Sequence, residues 1–154
     1  MSVHFVDILR PEAVLADLSG PSVQSVLAEL AQPVAAAQGL DAKRLLESLL
    51  AREKLGSTGV GDGVAIPHCK VPGLAQVAAS FGRSLAGVDF RSLDGKPTHL
   101  FVALFAPERA GAEHLQALAR VSRLLKRAPL RDALLAAADA AAMYSLIAEE
   151  DRQI

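Results

Sequence analysis

The sequence predicts an α/β fold in which one β-sheet is sandwiched between helices, and three observations carry that prediction. Apolar residues recur at helical spacing early in the chain, first as Val23, Val26, Leu27, Leu30 and Val34, then as Leu45, Leu46, Leu49 and Leu50. The middle of the chain changes to short alternating or wholly apolar stretches punctuated by glycine and proline, which is strand patterning. Helical spacing returns from about Ala112 onward. Helices, then strands, then helices around one core form a layered α/β domain, and no linker, repeat or shift of composition divides residues 1–154, which read as a single domain.

The elements follow in order. After a short opening segment, Gly20-Pro21-Ser22 marks a helix start, with proline at the first turn and serines available as caps. Pro33 is expected to kink or end that helix. Asp41 is a candidate N-cap for the second helix, which stops before Gly56 and carries Arg52 and Glu53 in its last turn. Residues 57–63, Ser-Thr-Gly-Val-Gly-Asp-Gly, are small and glycine-rich and predict a tight turn or loop. Val64-Ala65-Ile66 reads as a short strand that Pro67 ends, with His68 just beyond it. Gln76 to Arg83 alternates as a strand, and Val88 with Phe90 suggests another, closed by the turn Asp94-Gly95-Lys96-Pro97. His99 to Phe105 is almost entirely apolar, the pattern of a central strand covered on both faces. A helix from about Ala112 to Lys126 places Leu115, Leu118, Val121 and Leu125 on its inner side. A short helix begins near Pro129 and a last one near Asp139, which caps it.

Composition narrows the function. The chain is 51% hydrophobic, too apolar for a disordered segment, and no apolar run approaches the ~20 residues that span a bilayer. Met1 to Asp7 lacks the basic-then-apolar order of a signal peptide. The single cysteine, Cys69, has no partner for an internal disulfide, so a cytoplasmic protein is expected. Sixteen basic against 17 acidic residues, one tyrosine and no tryptophan supply neither the phosphate-binding surplus nor the stacking platforms of nucleic-acid binders. Nucleic acid and direct membrane insertion are therefore excluded as expectations.

Four histidines are the candidates for chemistry, because neutral imidazole is both a nucleophile and a phosphoryl acceptor. His4 lies in the opening segment without a nameable partner, and His99 reads as a strand-end residue near the surface. His68 follows a strand fed by the glycine loop, with a proline fixing the backbone before it; strand ends beside loops hold reactive side chains rigidly. On these features alone a half-buried structural histidine is the commoner reading. His114 falls in the first turn of a helix, where unpaired N–H groups and the positive dipole end favour a phosphate, although a polar residue on the rim of an amphipathic helix is the commoner reading. Arg52 ends the second helix just before Ser57-Thr58, and a guanidinium grips phosphate oxygens in fork geometry, although helix-terminal cations are also common. The glycine loop lacks the lysine and Ser/Thr of a P-loop and the spacing of a dinucleotide fingerprint. No short-spaced histidine or cysteine pairs suggest a metal site, and no cofactor is implied. Cys69 and His68, being neighbours on an extended chain, point to opposite faces and do not form a catalytic pair.

The run from Arg52-Glu53 through Ser57-Thr58-Gly59, Gly61, Gly63 and Ala65-Ile66-Pro67-His68 resembles the active-site signature of the fructose/mannitol-type (type 2) enzyme IIA family of the bacterial phosphotransferase system. Val88-Asp89-Phe90, Asp94-Gly95-Lys96-Pro97 and Glu113-His114-Leu115 also fit, so the resemblance covers roughly Leu40 to Ile147. The opening, Ile8-Leu9-Arg10-Pro11, and the helix after Pro21 resemble the nitrogen-regulatory branch. The resemblance implies a mixed β-sheet sandwiched between helices. It implies phosphoryl transfer from an HPr-type phosphocarrier protein to His68, with Arg52 and His114 holding and neutralising the phosphoryl oxygens and no metal or nucleotide involved.

Cys69 stands where relatives commonly have glycine; a tolerated small apolar residue is the expectation, and redox gating of His68 the alternative. The leading expectation for function is a phosphohistidine signalling protein that regulates partner proteins according to its phosphorylation state. The alternatives are a sugar-specific enzyme IIA that passes the group to a IIB subunit, and an interaction module of the same fold that has lost the relay. The chain's ending at Ile154 without an attached IIB segment leans toward the regulatory branch.

Overall fold

The structure, a computed structural model, describes residues 4–154; Met1-Ser2-Val3, part of the opening read for a leader, lies outside the described residues. A 3-10 turn at Phe5–Asp7 leads into β1 (Leu9–Leu15). Helices α1 (Val23–Gln38) and α2 (Ala42–Lys54) follow. Ser22 and Ser25 form a reciprocal capping box at the start of α1, and the Asp41 carboxylate accepts from Lys43 N at 3.0 Å at the start of α2. Gly39, at φ +66°, supplies the left-handed residue that ends α1, a conformation costly for side chains with a Cβ.

The central strands are β2 (Gly59–Gly61), β3 (Val64–Ala65), β4 (His68–Val71), β5 (Ala78–Val88) and β6 (Thr98–Pro107). They form one mixed sheet with β1, in the order β1-β5-β6-β3-β2, and β4 also pairs with β6. The chain closes with α3 (Ala112–Leu125), α4 (Ala128–Ala136) and α5 (Ala140–Arg152). Asp139 caps α5 by accepting from Ala142 N at 2.8 Å, as its sequence position predicts.

Strand β6 is the doubly covered centre that its apolar run predicts. Leu100, Val102, Leu104 and Ala106 face one side, packing with Val121, Leu124, Leu134, Met143 and Ile147 of α3, α4 and α5. Phe101, Ala103 and Phe105 face the other, packing with Val26, Leu27, Leu30, Leu45 and Leu49 of α1 and α2. The sheet is thus sandwiched between two helices on one face and three on the other. Among the described residues no helix is long and apolar enough to cross a membrane.

Several elements differ from the sequence expectation, each for a local reason. Strand β1 is absent from the pattern reading because Pro11 interrupts it and a register shift between Leu9 and Val14 destroys its alternation. Pro33 does not end helix α1, which runs on to Gln38; Val34 and Ala35, just beyond the proline, are buried in the core, and that packing outweighs the one lost helical bond. Val88 ends β5 instead of opening a new strand. Phe90 lies outside any strand and packs edge-on against Phe101, with ring centroids 5.3 Å apart. The glycine loop contains β2 and folds back on β3 as a hairpin, with Gly61, Asp62 and Gly63 all at positive φ. Leu115 is 66% exposed, because the buried side of α3 is set by Ala117, Val121, Leu124 and Leu125, with Leu118 at its margin. His4, for which the sequence names no partner, accepts at Nδ1 from Arg120 Nη2 at 3.0 Å.

Strand β3 stops before Pro67, as the sequence predicts, but pairing with β6 resumes at His68. Val64 pairs with Leu100, and His68 with Leu104, so the offset between the two strands is the same before and after the proline. Strands β3 and β4 therefore lie in line along β6, interrupted at Ile66-Pro67. The proline lacks the N–H that would continue the ladder, yet its carbonyl still accepts from Leu104 N at 2.9 Å.

Candidate functional site

The site grows out of that interrupted edge. In a parallel pair alternate residues bond to the neighbour; here Pro67 engages β6, so His68 sits on the open edge of β4. Ile66 belongs to the same edge set, and its N–H donates to Thr58 O at 3.0 Å. Strand β2 ends beside Ala65, which leaves the Ile66 carbonyl without a strand partner. The His68 ring takes it, Nδ1 donating to Ile66 O at 2.9 Å. A carbonyl only accepts, so Nδ1 carries the proton and Nε2 keeps its lone pair.

Opposite faces of the sheet send residues to this edge. Arg52 comes from the last turn of α2 and His114 from the first turn of α3, and both line a cleft of about 420 Å³ with Ser48, Ala51, Leu55, His68, Cys69 and Lys70. The His68 and His114 rings lie 5.5 Å apart, centroid to centroid, tilted by 49°. The structure thus brings Arg52, His68 and His114 to one cleft, a convergence that periodicity alone does not predict. His99 lies elsewhere, its Nδ1 donating to Ser84 O at 2.8 Å.

Burial and neighbouring charge act on His114. Burial holds the His114 pKa below the ordinary histidine value of 6.5, and the positive charges of His68 and Lys70 push it down further. Its Nδ1 is enclosed without a hydrogen-bond partner. Helix α3 begins at Gly111 without a side-chain cap, so its first-turn N–H groups remain available at the positive end of the helix. Arg52 donates Nη1 to Gly56 O at 3.0 Å, and no ion pair among the described residues engages its guanidinium.

The Ser57-Thr58 pair supports the site without lining it. Ser57 Oγ donates to Phe90 O, and Thr58 donates through both its hydroxyl and its N–H to the Glu53 carboxylate. These bonds tie the end of α2 to the start of β2 and hold the Glu53 carboxylate on the loop. Cys69 points away from His68 into the α1–α2 side of the core. It is 7% exposed, and burial pushes its thiol pKa up to about 12. Such a thiol is chemically quiet, which favours the tolerated apolar residue over redox gating.

Lys70 is the cleft residue that sequence reasoning misses. The signal available was the period of two along an extended chain, which sets positions 68 and 70 on one face. Among the described residues no group of three or more histidine, cysteine or acidic side chains is placed to hold a metal ion.

Comparison with known proteins gives a consistent result. The family model for the phosphoenolpyruvate-dependent sugar phosphotransferase system, EIIA 2, matches residues 7–150. A nitrogen regulatory protein of Bradyrhizobium diazoefficiens is 46% identical over 142 residues, covering 92% of this chain and 93% of the relative. One from Pseudomonas aeruginosa is 40% identical over 148 residues, covering 96% of each chain. The crystal structure of the nitrogen regulatory protein IIA-Ntr from Neisseria meningitidis superposes with a TM-score of 0.85 at 33% identity, over 92% of this chain and 97% of that one.

Proposed function

We propose a function from one premise: the chain belongs to the phosphoenolpyruvate-dependent sugar phosphotransferase system EIIA 2 family, with nitrogen regulatory proteins among its similar relatives. His68 accepts a phosphoryl group from an HPr-type phosphohistidine carrier protein, and the phosphorylated and free forms select different downstream partners. The observation that carries this reading is the His68 Nδ1 bond to the Ile66 carbonyl. It leaves Nε2 with its lone pair on a ring that lines the cleft beside a second histidine, with no carboxylate in the cleft lining.

The mechanism needs no other nucleophile. Nε2 of His68 attacks the phosphorus of the donor's phosphohistidine, and the donor's P–N bond breaks with its electron pair returning to the donor ring. A donor that enters as a phosphoimidazolium leaves as neutral imidazole, while His68 becomes the phosphoimidazolium with its proton still on Nδ1 and donated to Ile66 O. No proton has to travel. Because phosphoryl transfer is loose and charge-dominated, positioning and electrostatics carry the rate. Arg52 supplies a guanidinium with four N–H groups beyond the one used at Gly56. His114, kept neutral near pH 7 by its lowered pKa, donates a hydrogen bond to a phosphoryl oxygen without itself carrying charge.

The test is intact mass after incubation with phosphoenolpyruvate, enzyme I and an HPr-type carrier. An acid-labile gain of one phosphoryl group on the wild type and none on a folded His68→Ala variant is the expected result. No gain on the wild type, with carriers of both the sugar and nitrogen branches, makes the protein an interaction module without the relay. Onward transfer to a IIB protein would assign it to sugar transport instead.

A further inference from the structure

The cleft contains a cation that the proposed mechanism does not use. Lys70 lies two residues after His68 on β4, so alternation puts both side chains on one face of the strand. Both line the same cleft, whose charged residues are Arg52 and Lys70, with no carboxylate among its lining. No ion pair among the described residues engages Lys70. The whole chain carries a net charge of −1, so two uncompensated cations in the cleft are a local excess that fits a doubly charged anion.

We propose that Lys70 is a phosphoryl-positioning residue, its ammonium taking an oxygen of the group on His68 opposite the Arg52 guanidinium. The assignment rests on His68 being the phosphoryl acceptor. While the new Nε2–P bond forms and the donor's P–N bond breaks, negative charge spreads over the three phosphoryl oxygens. Arg52 comes from α2, His114 from α3 and Lys70 from the strand itself, so three elements each bring a donor to the one cleft. The Lys70 charge already reaches this space in the free protein, where it depresses the His114 pKa. A lysine on an open strand edge has another use, blocking addition of a foreign strand. That role gives a charge without any effect on transfer, and the two are separable.

The experiment compares wild type, His68→Ala, Lys70→Met and Lys70→Arg in phosphoryl transfer from an HPr-type carrier, with thermal midpoints to confirm folding. It also follows the 31P shift of the phosphorylated proteins against pH. Lys70→Met is expected to slow transfer about tenfold or more and to raise the midpoint of the phosphoryl titration by roughly one pH unit, since an adjacent cation favours the more charged form. Lys70→Arg is expected to retain most of the rate and the lower midpoint. A Lys70→Met protein with the wild-type rate and midpoint overturns the assignment, and self-association of that variant would then identify edge protection. Absence of phosphorylation on the wild type overturns the acceptor reading and this assignment together, so the two failures are told apart.

Discussion

The His68 imidazole and the Ile66 carbonyl, two residues apart on the same interrupted strand, are joined by a 2.9 Å hydrogen bond from Nδ1. That bond depends on β2 stopping beside Ala65, on Pro67 preserving register without supplying an N–H, and on the open edge of β4. It selects the tautomer. In the unphosphorylated protein, 15N NMR is expected to show His68 protonated at Nδ1, and 31P–15N coupling in the phosphorylated form is expected at Nε2. A phosphoryl group on Nδ1 would require the Ile66 bond to break and would contradict the proposed geometry.

His114 is expected to titrate below the ordinary histidine midpoint. Two of the causes are neighbouring positive charges, so His68→Ala and Lys70→Met should each move its midpoint upward, measured by proton NMR. The lowered folded pKa also has a stability consequence. Between that value and the unfolded value of 6.5 the unfolded chain binds more protons, so stability conferred by neutral His114 is present above 6.5 and is lost as pH falls through the folded pKa. Urea midpoints taken across this range should decline on acidification less steeply in His114→Gln than in wild type.

Arg52 pairs with no carboxylate among the described residues and rests one N–H on Gly56 O. Arg52→Ala is expected to slow phosphoryl transfer by roughly ten- to a hundredfold, the range for loss of a charge-assisted hydrogen bond. Lysine at this position should recover only part of the rate, because it lacks the fork. Initial rates with limiting carrier would show this, and an unchanged rate in Arg52→Ala would remove the residue from the site.

Cys69 should behave as a buried apolar residue. With its thiol pKa pushed up to about 12 and its side chain 7% exposed, iodoacetamide labelling at neutral pH is expected to be slow in the folded protein and fast in denaturant. Oxidant should affect phosphorylation of wild type and Cys69→Ala equally. Slowing confined to the wild type would reinstate redox gating.

Far from the cleft, Arg120 donates to the Asp151 carboxylate at 2.8 Å and also to the Asp151 backbone carbonyl, while the second carboxylate oxygen accepts from Val6 N at 3.1 Å. This buried cluster ties α3, α5 and the N-terminal turn together. Arg120→Ala leaves Asp151 buried and uncompensated and is expected to cost about 3–5 kcal/mol by urea unfolding. Replacing both residues with apolar ones of similar volume should cost less than Arg120→Ala alone.

The legible parts of this protein are those in which local chemistry and burial agree. Asp41 and Asp139 cap the helices their positions suggest, and the apolar run from His99 becomes the central strand. Strand β1 was illegible because a proline and a register shift erase its alternation, and β4 was hidden because Pro67 reads as a stop. Leu115 illustrates a different limit: a helical stripe has a width, and only the neighbouring strand decides where its margin falls.

The sequence by itself determined the α/β layering, the helix caps, the central strand and the family signature around His68, because these depend on spacing and side-chain chemistry within short stretches of chain. The family resemblance implied that Arg52 and His114 serve His68; tertiary structure decided how, bringing Arg52 from a helix on one face of the sheet and His114 from a helix on the other to the open edge. It also decided that Cys69 turns into the core and that Lys70 joins the cleft. Those placements follow from strand register and from which edge is left without a neighbour, and register is a relation between distant segments that no local pattern contains.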